Sequence, residues 1–286
     1  MPAVLGEPQC PQCSGNPNAC GQILLGFHST PENLVRHVRH SRFAIPGLLA
    51  IECGMPQHIG TSGAATKVTV TIDAGLKKKC PRTALACVTA RVEAGASSAA
   101  LLEEMKMREN EIQKLPFPRG VLASPQVEAT RAAYKTLGKD PSRYRGSAEA
   151  LLRRMVAGKG LPEINAVVDV INLVSVESRL PVGLYDLGRV VGEIVFRAGR
   201  AGETYKGIGK YDLNLEGLPL FADTVGPHGS ATSDSERTMV TSATKQVLAI
   251  IVSFSGTEGL ERWAQRMAAL LTQHAAGQNV EIQIIQ

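Results

Sequence analysis

Leu161-Pro-Glu-Ile-Asn-Ala-Val-Val-Asp-Val-Ile-Asn-Leu-Val-Ser-Val176, with the continuation Leu180-Pro-Val-Gly-Leu-Tyr-Asp186, is the stretch on which the fold turns. Ile164, Val167, Val168 and Ile171 fall at i, i+3, i+4 and i+7, one apolar face of a helix. Asn165, Asp169 and Asn172 follow at i, i+4 and i+7 on a neighbouring face. Val170, Leu173 and Val174 are apolar as well, so the helix is hydrophobic nearly all round and belongs in the interior. Pro162 suits its first turn. A buried stripe of one carboxylate and two amides needs partners. Either these groups bond to neighbouring backbone or they wall a ligand pocket.

The flanking sequence supplies the rest of the organisation. Residues 1 to about 65 are rich in Pro, Gly, Cys and His and show no sustained period, the pattern of a leader of low order. The folded unit is expected over 66–286. Val68, Val70 and Ile72 alternate with polar residues as in a half-buried strand, and 84–94 reads as a second strand. Helices are expected over 98–114 and 126–137, the latter closed by Gly138. A third begins at Ser147 as N-cap, with Glu149 in its first turn and Leu151, Leu152, Met155 and Val156 inward. Beyond 190 the period shortens to that of strands, at 190–198 and 246–254. The second is apolar throughout and so central. Thr257 is placed to cap an amphipathic helix with Leu260, Trp263, Ala264, Met267, Leu270 and Leu271 inward, and 280–285 alternates like a terminal strand. Helices and strands mixed without regular alternation make the class α+β.

Composition sets limits on function. The chain has 286 residues, 44% hydrophobic and 20% charged, as in ordinary globular proteins. Its longest apolar runs, such as Val247–Val252, are too short to span a bilayer, which makes a cytoplasmic protein the expectation. Six cysteines are present; Cys10, Cys13 and Cys20 with His28 match no zinc-finger spacing well, and no metal or cofactor is expected. The net charge of +5 is unevenly placed. Residues 139–160 carry Lys139, Arg143, Arg145, Arg153, Arg154 and Lys159 against Asp140 and Glu149, a local excess of four. That segment can meet RNA phosphates or simply form a solvated helix face.

Hydrolase and phosphate-loop signatures are missing. There is no G-x-S-x-G, no H-E-x-x-H, and Gly207-Ile-Gly-Lys210 lacks P-loop spacing. Two loops carry polar groups worth following. Tyr185-Asp186 sits after the Pro-Val-Gly turn, with Asp186 either a turn former or a pocket group. Ser233, Asp234, Arg237, Thr238 and Thr241 lie in a hydroxyl-rich segment that either binds a polar ligand or is an exposed connection. Arg197, on an otherwise apolar strand, calls for a carboxylate: Asp169, Glu203 or Asp223.

The string P-x-x-N-x-V-V-D-V-x-N-x-V at 162–174, followed by Pro181 and Asp186, resembles the B3/B4 domain of bacterial phenylalanyl-tRNA synthetase beta chains, which binds and edits tRNA. The similarity continues through Pro141–Arg154, Ile194–Arg197, Gly202-Glu203, Leu220–Asp223 and Thr232–Thr238. It runs in outline over 67–275 and is specific over 141–245. The resemblance implies a three-layer α+β domain with an unusual β-sandwich flanked by helices. It also implies hydrolysis of a wrongly attached amino acid from a tRNA's terminal ribose. The synthetase pocket uses a threonine–asparagine pair and a histidine. Here those positions hold Ile171, Asn172 and Gly183, so tyrosine specificity is not expected to carry over.

The expectation is therefore a free-standing factor that deacylates a mischarged tRNA in trans. Asn172 and Asp186 would be catalytic, and Asn165, Asp169, Tyr185, Ser233, Asp234, Arg237, Thr238 and Thr241 would bind the aminoacyl group. Arg143, Arg145, Arg153 and Arg154 would contact tRNA. A non-catalytic module for tRNA or an amino acid, and an enzyme acting on an unrelated metabolite, are the alternatives.

Overall fold

The computed structural model describes residues 68–286 apart from Pro118 and Lys210. The leader assigned to 1–65, with its Cys and His residues, lies outside them.

In chain order the elements are β1 (Val70–Ile72), α1 (Ala74–Lys79), β2 (Ala84–Arg91), α2 (Ala99–Gln113), α3 (Arg119–Leu122), α4 (Pro125–Thr136) and α5 (Ser147–Val156). There follow α6 (Ala166–Ser178), β3 (Val182–Asp186), β4 (Ile194–Ala198), β5 (Thr204–Lys206), β6 (Asp212–Asn214), β7 (Pro219–Ala222) and β8 (Pro227–Ser230). The chain then runs through β9 (Gln246–Ser253), α7 (Leu260–His274) and β10 (Gln278–Ile285). The protein is α+β.

Two four-stranded sheets form the middle, ordered β1-β4-β7-β8 and β10-β2-β9-β3, and β5 and β6 make a separate hairpin. Strand alternation explains how they stack. In β9, Val247, Ala249 and Ile251 pack with α6 and α7, through residues such as Val167, Val170, Val174, Met267 and Leu271. Leu248, Ile250 and Val252 point the other way and meet Val70, Ile194, Phe196 and Phe221 of the facing sheet. Helices, sheet and sheet are the three layers that the resemblance implies. A strand buried on both faces has no polar side to present, which is why β9 reads as a continuous apolar run.

The helix ends depart from the sequence reading in three places. Gly146, not Ser147, is the N-cap of α5. The Ser147 hydroxyl instead accepts a bond from the Val182 amide at 3.2 Å, tying α5 to β3. Pro162 stays outside α6, whose N-cap is Asn165, with its side-chain oxygen accepting from the Val168 amide at 3.0 Å. Gly259 in the left-handed region, not Thr257, caps α7. Only the first shift trades a local cap for a tertiary contact; α6 takes the Asn165 cap in place of Pro162, and α7 starts from a left-handed turn.

Arg197 finds Glu203 among its three candidates, in a two-pronged ion pair at 2.7 and 2.8 Å. Those hydrogen bonds hold the Glu203 carboxyl below the usual range. Among the described residues no helix is long and apolar enough to cross a membrane.

Candidate functional site

The polar stripe of α6 splits between two jobs. Val168, Ile171, Asn172 and Ser175 line a cavity between α6, α5, β3 and the loop after β8. Asp169 does not. At about 100° per residue it lies roughly 60° beyond Asn172, past the arc that faces the cavity. Its carboxylate accepts from the Ile164 amide at 2.9 Å and the Ser97 hydroxyl at 2.6 Å, fastening the start of α6 to the segment before α2. Burial raises its pKa even against those bonds. Asn165 is spent as the helix cap. Asp169→Ala is expected to cost about 2 kcal/mol of stability, because two half-buried donors lose their buried acceptor. It should leave ligand affinity at the cavity unchanged, and urea denaturation beside a binding titration separates the two effects.

The cavity is small: the space open to the centre of a water-sized sphere is about 50 Å³. Leu151, Val182, Leu184, Ile208, Met239 and Val240 make it largely apolar, and Ser147, Asn172, Ser175, Ser230, Ser233 and Asp234 give it polar points. Most of those polar points are already committed. Ser175 donates to the Leu180 carbonyl at 2.9 Å, Ser230 donates to the Ser233 carbonyl at 2.8 Å, and Asp234 accepts from the Leu184 amide at 3.2 Å. Asn172 is different. It is 4% exposed, and its side-chain nitrogen has no hydrogen-bond acceptor. A buried amide nitrogen without an acceptor at a cavity wall is an unmet hydrogen-bonding group.

Of the loop residues proposed from sequence, Ser233 and Asp234 reach the cavity and three others do not. Arg237 makes a paired ion bridge to Asp223 at 2.9 and 3.0 Å and also donates to the Gly226 carbonyl. Thr238 is fully buried and donates to the His228 carbonyl. Thr241 closes a turn, its amide donating to the Thr244 hydroxyl and its hydroxyl accepting from the Ala243 amide. Asp186 is also apart from Asn172. It accepts from the Gly188 amide at 2.9 Å and the Thr244 hydroxyl at 2.7 Å, and it lines a second recess.

Tyr185 faces the space between the sheets, where its ring meets Phe221 and His228 edge-on. Gly183 lies under its hydroxyl: a Cβ there would come within 2.2 Å of the Tyr185 oxygen. Position 183 thus looks into the inter-sheet core, while its neighbours Val182 and Leu184 line the cavity. Burial, then the charge of Asp234, raises the Tyr185 pKa well above its ordinary value.

Of the basic segment, Arg153 pairs with Glu149 at 2.9 Å and Arg154 donates to the Gly160 carbonyl at 2.9 Å. Arg145 is half-buried and already engaged, and Arg143 is exposed. Sequence reasoning missed Ser147, Ser175 and Ser230 as cavity groups. Only Ser175, three residues past Asn172, carried a periodic signal.

His228 is buried, with neither ring nitrogen bonded, and burial pushes its pKa down to about 4. The unfolded chain binds a proton near 6.5 and the native state resists it until about 4. Stability from this group is therefore whole above pH 6.5 and is lost as pH falls through that window, by about 3 kcal/mol in total. Urea midpoints of wild type and His228→Gln at pH 7.5 and 4.5 check this, and the variant should lose less on acidification.

Comparison with known proteins decides the family. The model of the B3/4 domain matches residues 129–275, just over half of the chain, including α5, α6, β3 and the loop after β8. The chain belongs to the B3/4 domain family. The phenylalanine–tRNA ligase beta subunit of Chromobacterium violaceum is 30% identical to this B3/4 protein over 105 residues, covering 36% of this chain and 13% of that one. The corresponding subunit of Paramagnetospirillum magneticum is 32% identical over 104 residues, with the same shares of 36% and 13%. The B3/4 chain thus matches only about an eighth of the length of these curated relatives. A crystal structure of an N-terminal fragment of the phenylalanyl-tRNA synthetase beta-subunit from Pyrococcus horikoshii aligns at 16% identity and a TM-score of 0.38. That alignment covers 77% of this chain and 51% of the fragment.

Proposed function

We propose that this B3/4 protein hydrolyses the ester of a mischarged aminoacyl-tRNA, acting in trans. The observation that carries the reading is the idle, buried amide of Asn172 at the wall of the cavity. In ester hydrolysis the carbonyl oxygen gains negative charge as water adds. A donor already fixed and desolvated stabilises that charge without reorganising. Asn172 is such a donor. An aminoacyl ester needs little further activation, so holding a water and the carbonyl in register contributes much of the rate. The apolar walls formed by Leu151, Val168, Ile171, Val182, Leu184 and Met239 suit an apolar amino-acid side chain better than a phenol.

A second reading, binding without turnover, is favoured by one observation. Asp234, the carboxylate lining the cavity, is committed to the Leu184 amide, and Asp186 is outside. Release of amino acid from a panel of correctly and wrongly charged tRNAs separates the two. Turnover of a mischarged species supports hydrolysis, whereas tight binding of the same panel with no turnover supports the binding module.

A further inference from the structure

The second recess lies at the end of the central sheet. Arg91 closes β2, Gln246 opens β9 directly opposite it in register, and Arg189 and Lys245 come from the segments after β3 and before β9. Arg91 and Lys245 are exposed, as is Arg189 with 48% of its side chain accessible. Asp186 is the acid of the recess. It lies 3.7 Å from Arg189, but its oxygens already serve the Gly188 amide and the Thr244 hydroxyl. Glu93, nearby in sequence, does not line the recess. Three cations against one committed carboxylate leave a concave site with net positive charge, suited to an anion with several acceptor oxygens.

The position of the recess narrows the ligand. It shares two segments with the cavity: β3, where Leu184 lines one and Asp186 the other, and the run 239–246, where Met239 and Val240 line one and Ala243 to Gln246 the other. Two residues along a strand span about 7 Å. The two recesses are therefore neighbours on one sheet end. Of the four arginines singled out in sequence, Arg153 and Arg154 are occupied by Glu149 and the Gly160 carbonyl, Arg145 is half-buried and engaged, and Arg143 is exposed.

We propose that Arg91, Arg189 and Lys245 hold the phosphodiester backbone of an RNA strand whose 3′ end enters the cavity. This rests on the hydrolytic reading above. Arginine can grip a phosphate with two N–H groups while Lys245 adds charge, and such contacts position the strand without reading its bases.

Binding of uncharged tRNA to the full chain, measured at several salt concentrations, tests the proposal. The proteins are wild type, the double variant Arg91→Ala with Lys245→Ala, and Arg91→Lys, with inorganic phosphate as a competitor. Both positions are exposed, so a urea midpoint equal to wild type serves as the folding control. Removing two phosphate contacts should lower the slope of log affinity against log salt by about 1.4, at about 0.7 per contact for a single strand. Arg91→Lys should keep the wild-type slope. An unchanged slope in the double variant overturns the proposal. So does a loss of phosphate competition with tRNA affinity intact, which would make this a site for free phosphate. No salt-dependent tRNA binding by wild type also overturns it. Amino-acid release in the same preparations then shows whether the hydrolytic reading survives or falls with it.

Discussion

Under the proposed hydrolysis, Asn172→Ala is expected to lower the rate of amino-acid release from a mischarged tRNA by about 10²- to 10³-fold, the usual effect of deleting one donor to a developing oxyanion. Affinity for the uncharged tRNA should change little, because the amide is engaged only when the acyl group occupies the cavity. Stability should hold or rise slightly: the native amide nitrogen has no partner, so alanine removes an unmet desolvation cost along with some packing. Single-turnover deacylation, tRNA binding and urea denaturation of the same preparation separate these effects. A variant as fast as wild type would remove Asn172 from the mechanism. A variant that binds tRNA normally but is also unfolded at low urea would show the residue to be structural.

Gly183→His should unfold the protein, at a cost of about 5 kcal/mol, comparable to the whole stability of many domains. This substitution places the histidine of the resembled synthetase pocket at its equivalent position. The first atom of the new side chain already meets the Tyr185 hydroxyl at 2.2 Å and the ring carbon behind it at 2.8 Å. Tyr185 has no space to withdraw, since Gly229 approaches it so closely that a Cβ there would lie 2.3 Å from its ring. Gly183→Ala is the milder probe, and overpacking of this kind costs about 1–3 kcal/mol. Combining it with Tyr185→Phe removes the nearest clashing atom, so the double variant should lose less than the sum of the singles. Strict additivity in thermal or urea unfolding would show that the two side chains do not compete for this space. A histidine at 183 in this chain would also point at Tyr185 in the core between the sheets, away from the cavity.

Much of the architecture was legible because hydrophobic periodicity is a local property. The all-round apolar stretch 166–176 had to be a buried helix, and 246–253 had to be a strand covered on both faces. The inward stripe of α7 appeared at Leu260, Ala264, Met267, Leu270 and Leu271 as its spacing required. Helix ends were less legible. Ser147, Pro162 and Thr257 all carry genuine start signals, but Ser147 bonds to β3 instead, Asn165 supplies a local cap to α6, and a left-handed turn at Gly259 starts α7.

The site divides along the same line. That α6 carries Asn165, Asp169 and Asn172 in a buried setting followed from spacing and hydrophobicity alone. Their separate fates, as cap, fastener of a loop and idle donor at a cavity, required the fold, because a polar group's role depends on which distant atom comes within 3 Å of it. Likewise Arg237 and Asp186 read as ligand groups until Asp223 and Thr244 arrived beside them. Arg91 and Lys245, far apart in the chain, carried no shared signal until the pairing of β2 with β9 set them at one sheet end.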